Sequence, residues 1–369
     1  MHHVTIIARM VPLLLAGLAP PLAAGCQGAE AADDDDGAAT DADTDADSDA
    51  DSDADADTDT DSDTDTGQDP AVIPMDCTNC SGVGSTLEEM VCAFDLCDEN
   101  AVVEQSYVTP CNFSGCTLED TYEAVERFGL ATNGLEAKLN GSYALVASGP
   151  ATGTEHTTAC DGSCMLTDPW SSETYKTYDV VEWRLILTAP EAALGFRFKY
   201  VFFSEEYDDF ISTSYNDKFY VFLEAGSTGG GNPTVINFTD CREPETYFDF
   251  VCEAGNDACE EGQKYCYIAI NSAFSDCCWY ESCPNGYSSD VGTSIAGTGY
   301  ECAASSDMDG PMSGSSTGWL QTSWPIDGGE TFAVTFHIHD TSDGVYDSEV
   351  ILDAFEFLKD PDQGTVPVE

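Results

Sequence analysis

Positive charge is scarce in this chain: 11 Lys and Arg stand against 69 Asp and Glu, a formal net charge of −58 over 369 residues. That balance argues against nucleic acid or anionic lipid as a partner and favours divalent cations, cationic ligands or simple solubility. Long apolar runs are also lacking after the first 25 residues, so no spanning helix is expected there. Neither a G-x-S-x-G elbow nor an H-E-x-x-H helix occurs, which removes the usual signatures of serine hydrolases and zinc peptidases. Of five histidines two precede the apolar leader, leaving His156, His337 and His339. His337 and His339 share one strand face, where two ordinary strand histidines are the simpler reading than a transition-metal pair.

What is present begins with an address. His2, His3 and Arg9 precede the apolar run Val11 to Ala24, too short and too Pro-broken to span a bilayer, so residues 1–25 read as an export signal. The run ends Leu22-Ala23-Ala24-Gly25-Cys26, which resembles the bacterial lipobox and implies that Cys26 is acylated and becomes the mature N-terminus; the alternative is an ordinary signal cut near Ala24. Acyl chains contribute roughly 0.8 kcal/mol per buried CH₂ and anchor without a spanning helix. Membrane contact is therefore expected through the lipid. Gln27 at the next position favours, by analogy with Gram-negative sorting, an outer-membrane and surface-exposed location.

Residues 26–70 then form a tether. From Ala32 to Pro70 the chain is almost only Asp, Ala, Thr, Ser and Gly, with Asp at every second position from Asp41 to Asp65. Such a segment cannot bury enough apolar surface to offset chain entropy and repels itself into an extended spacer of at most roughly 130 to 140 Å. Weak calcium soaking is the alternative use of the run. The first 70 residues hold 19 acidic and one basic residue, which leaves 50 acidic against 10 basic beyond them.

Seventeen cysteines less Cys26 leave sixteen, an even number in an exported chain and so up to eight disulfides. Six lie together (Cys77, Cys80, Cys92, Cys97, Cys111, Cys116), two follow (Cys160, Cys164), and eight run from Cys241 through Cys252, Cys259, Cys266, Cys277, Cys278 and Cys283 to Cys302. Pairing inside each group is expected, with Cys160 to Cys164 the simplest case and the adjacent Cys277 and Cys278 taking different partners. Cys77-x-x-Cys80 has the form of half a zinc site, but an oxidising compartment and no nearby His favour disulfides.

Residues 71–128 read as a small Cys-rich helical module. Ser85-Thr86-Leu87-Glu88 has the form of a capping box, with Leu87, Met90, Val91 and Phe94 on one helical face. Thr117-Leu118-Glu119-Asp120 opens a second helix, with Tyr122, Val125 and Phe128 at helical spacing. From Gly129 the period becomes two: Leu194, Phe196, Phe198, Tyr200 and Phe202 alternate with their neighbours, as do Phe332, Val334, Phe336 and Ile338. Further strands are expected at Tyr143 to Ser148, Tyr178 to Leu187, Phe219 to Glu224, Val235 to Phe238, Tyr265 to Asn271 and Val350 to Leu358. The fold class is all-β, an antiparallel sandwich or jelly roll over residues 129–360, followed by a tail at 361–369. Residues 240–309 read as a Cys-rich loop insertion. Trp279, Tyr280 and Tyr287 there suit recognition of a glycan or protein, whereas Trp170, Trp319 and Trp324 are expected in sheet packing. Asn112 and Asn237 stand in Asn-x-Ser/Thr sequons, which imply no glycans in a bacterium.

Five runs occur in order: Val146-Ala147-Ser148-Gly149-Pro150-Ala151, Tyr178-Asp179-Val180, Phe202-Phe203-Ser204-Glu205-Glu206-Tyr207, Tyr215-Asn216-Asp217-Lys218-Phe219, and His339-Asp340-Thr341-Ser342-Asp343-Gly344-Val345-Tyr346-Asp347-Ser348-Glu349-Val350. Together they resemble the choice-of-anchor L domain over about Gly129 to Leu358. The resemblance implies an extracellular bacterial β domain held to cells by varied sorting signals, here the N-terminal lipid, and carries over no enzymatic activity. The Cys-rich insertion and the leading module depart from the family pattern.

Two acidic clusters lie just past strand ends: Glu205, Glu206, Asp208 and Asp209, and Asp340, Asp343 and Asp347. With Asn216 and Asp217 they offer the six to eight oxygens that calcium takes, so a structural calcium site is expected from Glu206, Asp217, Asp340, Asp343 and Asp347, against the alternative of solvated turn residues. The function expected is non-catalytic display of a β-sandwich for adhesion or for recognition of an extracellular glycan or protein. Two rivals stand beside it: a secreted hydrolase pairing Glu205 or Glu206 with Asp340 across an open cleft, and a purely structural envelope protein.

Overall fold

Alternating apolar residues fix the architecture of the computed structural model: two antiparallel sheets packed face to face, eight-stranded and nine-stranded. The structure describes residues 71–126 (except 78, 79, 81 and 99), 135–151, 161–171 (except 163), 175–206, 214–240, 249–251, 264–269, 300 and 315–368. The leader, Cys26, the acidic tether, and Trp279, Tyr280 and Tyr287 lie outside them.

The principal strands, in chain order, are β1 Val102–Val108, β2 Tyr122–Val125, β3 Tyr143–Ala147, β4 Lys176–Thr188, β5 Gly195–Ser204, β6 Lys218–Glu224, β7 Phe238–Asp240, β8 Lys264–Ala269, β9 Leu320–Pro325, β10 Thr331–Thr341, β11 Ser348–Leu358 and β12 Gly364–Pro367. One sheet runs β12-β9-β5-β11-β3-β2 and the other β7-β8-β6-β10-β4-β1, with two-residue and three-residue strands added at their sides. The strands expected from the alternation are present within a few residues of their expected bounds, except that Val235 to Phe238 is broken into Thr234–Val235 and Phe238–Asp240, and β1, β9 and β12 add to the expected set. Inward-facing rows from β4 (Val181, Trp183, Leu185, Leu187), β5 (Phe196, Phe198, Tyr200, Phe202), β6 (Phe219, Val221, Leu223) and β10 (Phe332, Val334, Phe336, Ile338) make one core. In β11 the core face passes from Val350 and Leu352 to Phe355 and Phe357, a change of parity absorbed by a bulge where Ala354 takes φ 54°.

Residues 71–128 differ from the expected helical module. Only Leu87–Ala93 is α-helical, and its capping box is Thr86 with Glu89, one residue later than expected: Glu89 N–H donates to Thr86 Oγ1 at 3.2 Å, and Thr86 N–H to Glu89 Oε2 at 2.9 Å. The second helix shrinks to the 3₁₀ turn Leu118–Thr121, and the Tyr122 to Val125 run is strand β2. A four-residue segment is too short for periodicity to separate the two states, and pairing with β3 decides it. β1 and β2 extend opposite sheets, pairing with β4 and β3, so this segment is woven into the sandwich. The tail is ordered likewise: Gly364–Pro367 pairs with β9.

Phe94, just past the helix, is the plug between the sheets. Its ring lies 5.7 Å from Trp183, 6.0 Å from Phe198, 5.2 Å from Phe336 and 5.4 Å from Phe355. Cys77–Cys97 and Cys80–Cys92 staple the chain on either side of it, as the within-group expectation required. Cys164 departs from that expectation, pairing with Cys111 across 53 residues instead of with Cys160. Strand pairing, invisible to residue spacing, brings the two cysteines to a Cα separation of 4.9 Å. Cys116 is also disulfide-bonded. Cys160, Cys241, Cys252, Cys259, Cys277, Cys278, Cys283 and Cys302 lie outside the described residues, as does the side chain of Cys266.

Removing the plug opens a cavity touching both sheets, so Phe94→Ala is expected to lower unfolding stability by about 3 to 5 kcal/mol with the slope against denaturant unchanged. Equilibrium urea unfolding measures it. A loss under about 1 kcal/mol would mean that the sheets close without this ring.

Candidate functional site

Beyond the apolar end of the sandwich the inner face turns acidic. Phe219 faces inward on β6, so Asp217, two residues earlier, comes to the same side at the strand's mouth; Ile338 on β10 sets Asp340 the same way. Glu206 follows β5, and Asp347 precedes β11. The structure thus gathers four of the five expected ligands: Glu206, Asp217, Asp340 and Asp347 are all buried. Asp343 lies half-buried at the edge, its carboxylate accepting from Val345 N–H at 3.3 Å, and its charge bears on Glu206. Glu205 and Glu206 occupy a turn rather than a strand, and Glu205 N–H donates to the Asp347 carbonyl at 3.3 Å. Asp208 and Asp209 are outside the described residues.

Hydrogen bonds go chiefly to one member. Asp217 accepts from Ser348 Oγ at 2.7 Å, Thr341 N–H at 3.1 Å and Ser204 Oγ at 3.4 Å. Neither oxygen of Asp340, nor Oε2 of Glu206, makes a hydrogen bond of ordinary geometry among the described residues, though the Ser148 hydroxyl lies close enough to Asp340, and Asp217 to Glu206, to affect their ionisation. No ion pair there joins Glu206, Asp217 or Asp340 to a basic side chain. Burial first, then the charge of Asp217, pushes Glu206 far above the usual carboxylate range. Burial, with Asp347 adding to it, raises Asp217 to about 7 against the bonds it accepts. Asp340 is driven up by burial and by the charges of Asp217, Asp179 and Asp347.

Sequence reasoning missed Asp179, buried on β4 with φ 47° and electrostatically coupled to Asp340. Its carboxylate accepts from Gly162 N–H, and a Cβ on Gly344 would collide with it. A Cβ on Gly149 would strike the Asp347 carboxylate in the same way. Glycine at these two places therefore lets backbone approach the carboxyl groups. The available signal was position, since Asp179, Gly149 and Gly344 all fall in the five runs that carry the family resemblance.

The outer face of the β6-β10-β4 sheet holds a second polar constellation. Lys218, opposite His339 in the β6-β10 register, is fully buried, and its Nζ lies 2.8 Å from Asp168 Oδ2. His339 Nε2 is 3.6 Å from the same oxygen. Its Nδ1 shares a hydrogen bond with His337 Nε2 at 2.9 Å, and His337 Nδ1 lies 2.9 Å from Glu182 Oε1. Burial raises Asp168, but His339 and Lys218 more than offset this and hold it below the ordinary range. Burial likewise depresses His339 to about 3. The two histidines are thus occupied with each other and with acids, as ordinary strand histidines are. Trp170, Trp319 and Trp324 pack on or into the sheets as expected.

Among the described residues only Cys77, Asp95 and Cys97 bring three candidate metal-ligating atoms within 4.8 Å of one another. There the two sulfurs are already joined to each other. The rim acids form a looser group, coupled through charge.

The family model for the choice-of-anchor L domain matches residues 147–358, from the end of β3 to the end of β11. The match begins at 147 rather than near 129, and leaves out β1, β2 and the Phe94 helix. No curated protein and no solved structure matches the chain. Domains of this kind are typical of cell-surface or secreted bacterial proteins. Because the matched segment spans more than half of the sequence and holds every described member of the acidic rim, the chain belongs to the choice-of-anchor L domain family.

Proposed function

We propose that this protein is a bacterial surface lipoprotein, acylated at Cys26 and carried on its acidic tether, whose sandwich binds calcium at the inner rim and presents the surrounding loops to an extracellular glycan or protein. The observation that carries the metal is Asp340, buried beside Glu206, Asp217 and Asp347 with only the Ser148 hydroxyl to offset their charge. An uncompensated buried carboxylate costs several kcal/mol, and hard oxygen donors gathered from separate strands suit calcium, which is tolerant of irregular geometry. Calcium held by Glu206, Asp217, Asp340 and Asp347, with Asp179 behind and Asp343 at the mouth, offsets two of the group's negative charges and orders the turns that supply it. Burial of Glu206 and Asp340 also supports binding over the hydrolase reading, because a glycan has to reach both carboxyl groups of a catalytic pair.

Three expectations follow from the electrostatics. With calcium removed by chelator, stability falls as pH rises from about 6.5 to 8.5: acids whose folded values exceed their unfolded ones stabilise the protein below the unfolded value and lose that contribution through the folded value. Glu206, raised to about 11, and Asp340 keep protons across this window that the unfolded chain has already lost, Asp217, raised to about 7, adds only the end of its own loss, and His339, depressed from 6.5 to about 3, acts oppositely below it. Calcium at about 100 times its Kd adds about 2.7 kcal/mol and raises Tm by about 5 to 10 °C, flattening the pH slope. Thermal melts across this pH range with and without calcium measure both effects, and an unchanged Tm at millimolar calcium removes the metal from the reading. Glycan and matrix arrays probed with full-length protein test display: capture lost on chelation and in D340A/D347A supports the whole scheme, and capture indifferent to both separates ligand recognition from the metal.

A further inference from the structure

Within the run Tyr215 to Phe219 that helps carry the family resemblance, Lys218 is fully buried, with Nζ 2.8 Å from a carboxyl oxygen of Asp168. A lone buried ion pair is a weak stabiliser, since desolvation consumes most of its attraction. Its surroundings suggest another use. The other oxygen, Asp168 Oδ1, accepts from Trp170 N–H at 2.9 Å and Ser171 N–H at 2.7 Å, and Tyr220 Oη lies between the two oxygens, 3.2 Å from Oδ1 and 3.1 Å from Oδ2. Two backbone donors on one oxygen, a hydroxyl shared between both and a nitrogen in contact with the other reproduce the elements of acyl transfer: an oxyanion site, a nucleophile and a leaving oxygen. Tyr220, Phe222, Val235 and Tyr267 form the apolar cluster around the site, with Trp170 packed against it.

We propose that Lys218 and Asp168 join in an intramolecular isopeptide bond. Within the pair, closed off from water, a proton passes from the Lys218 ammonium to Asp168 Oδ2, giving amine and acid. The Nζ lone pair attacks Cγ, and negative charge gathers on Oδ1 under the Trp170, Ser171 and Tyr220 donors. The tetrahedral centre collapses as the Cγ–Oδ2 bond breaks. Oδ2 leaves as water, carrying the proton it already held and a second one from nitrogen, and the amide keeps one N–H; no oxidant or outside reagent is consumed. His339 Nε2, 3.6 Å from Oδ2, is placed to carry the second proton. With ionised Glu182 accepting from His337 Nδ1–H, a neutral His337 accepts at Nε2 from His339 Nδ1–H, which leaves the Nε2 lone pair of His339 directed at Asp168. The product ties β6 covalently to the Asp168 turn, which Cys111–Cys164 already tethers to the exit of β1.

Intact-mass spectrometry of the full chain, denatured and with its disulfides reduced, tests the proposal. The wild-type protein is expected to weigh one water less than its processed sequence. Trypsin should then give one species joining residues 139–176 to residues 200–242, because cleavage after Lys218 is blocked. K218R and D168A should show the full mass and lack that species, and H339Q should show a mixture. Wild-type protein at full mass with separate Asp168 and Lys218 peptides overturns the assignment, and that measurement holds whether or not the variants fold.

Discussion

Everything in this fold depends on the parity of four central strands. Phe196 to Phe202 on β5, Trp183 on β4, Phe219 on β6 and Phe336 on β10 bury their rings between two sheets, and a slip of one residue turns each of these faces toward the outside. Fixing that parity also fixes the ends of the strands. Phe219 pairs with Ile338, and both point inward, so Asp217 and Asp340 reach the rim of the same interior. Lys218 and His339, paired with each other, are turned to the outer face. The sheet thus sorts adjacent charges to opposite sides: acids gather inside the rim, and the buried lysine meets its carboxylate outside. Both polar sites are consequences of packing aromatic side chains.

The N-terminal segment shows how this chain completes a domain whose family match begins only at residue 147. β1 and β2 each add an edge, and the helix that precedes them seats Phe94 against Trp183, Phe198, Phe336 and Phe355. A seven-residue helix is too short to persist in water alone. It is held by its capping box and two disulfides, which reduce the freedom of the unfolded chain, and by the sheets on either side of the ring it delivers.

Strands with alternating apolar residues on one buried face were legible in the sequence because period two is unambiguous over their length; β1, seven residues long but mostly uncovered and without an alternating apolar row, was not. β2 was not, since Tyr122 and Val125 fit a helix as well as a strand until β3 is placed beside them. Cys111 to Cys164 was equally hidden, because spacing says nothing about which strands adjoin. The acidic rim was legible in outline: Glu206, Asp217, Asp340 and Asp347 converge as clustered carboxylates at strand ends suggest. Asp179 escaped because it lies within a strand, and its inward turn depends on a positive φ that no residue pattern announces.

Burial of acid is not by itself a sign of metal, and the molecule contains its own control. Asp95 and Asp353 are also buried, and burial raises both, Asp353 to about 8. There the oxygens are supplied: Asp95 accepts from Asn140 Nδ2 at 2.7 Å and Ala354 N–H at 3.0 Å, Asp353 accepts from Lys138 N–H, and the two carboxyl groups hydrogen-bond each other. One shared proton leaves such a pair with a single negative charge, which its donors hold. At the rim the count fails. Ser348, Thr341 and Ser204 all serve Asp217, while Asp340 faces three like charges with only the Ser148 hydroxyl beside it. Protons quench that group only by occupying several carboxyl groups at once, and a divalent cation, which offsets two of the negative charges by binding ionised oxygens, competes with them. The two clusters therefore differ in how many like charges are gathered, a pair in one and four or more in the other, and that excess singles out the rim.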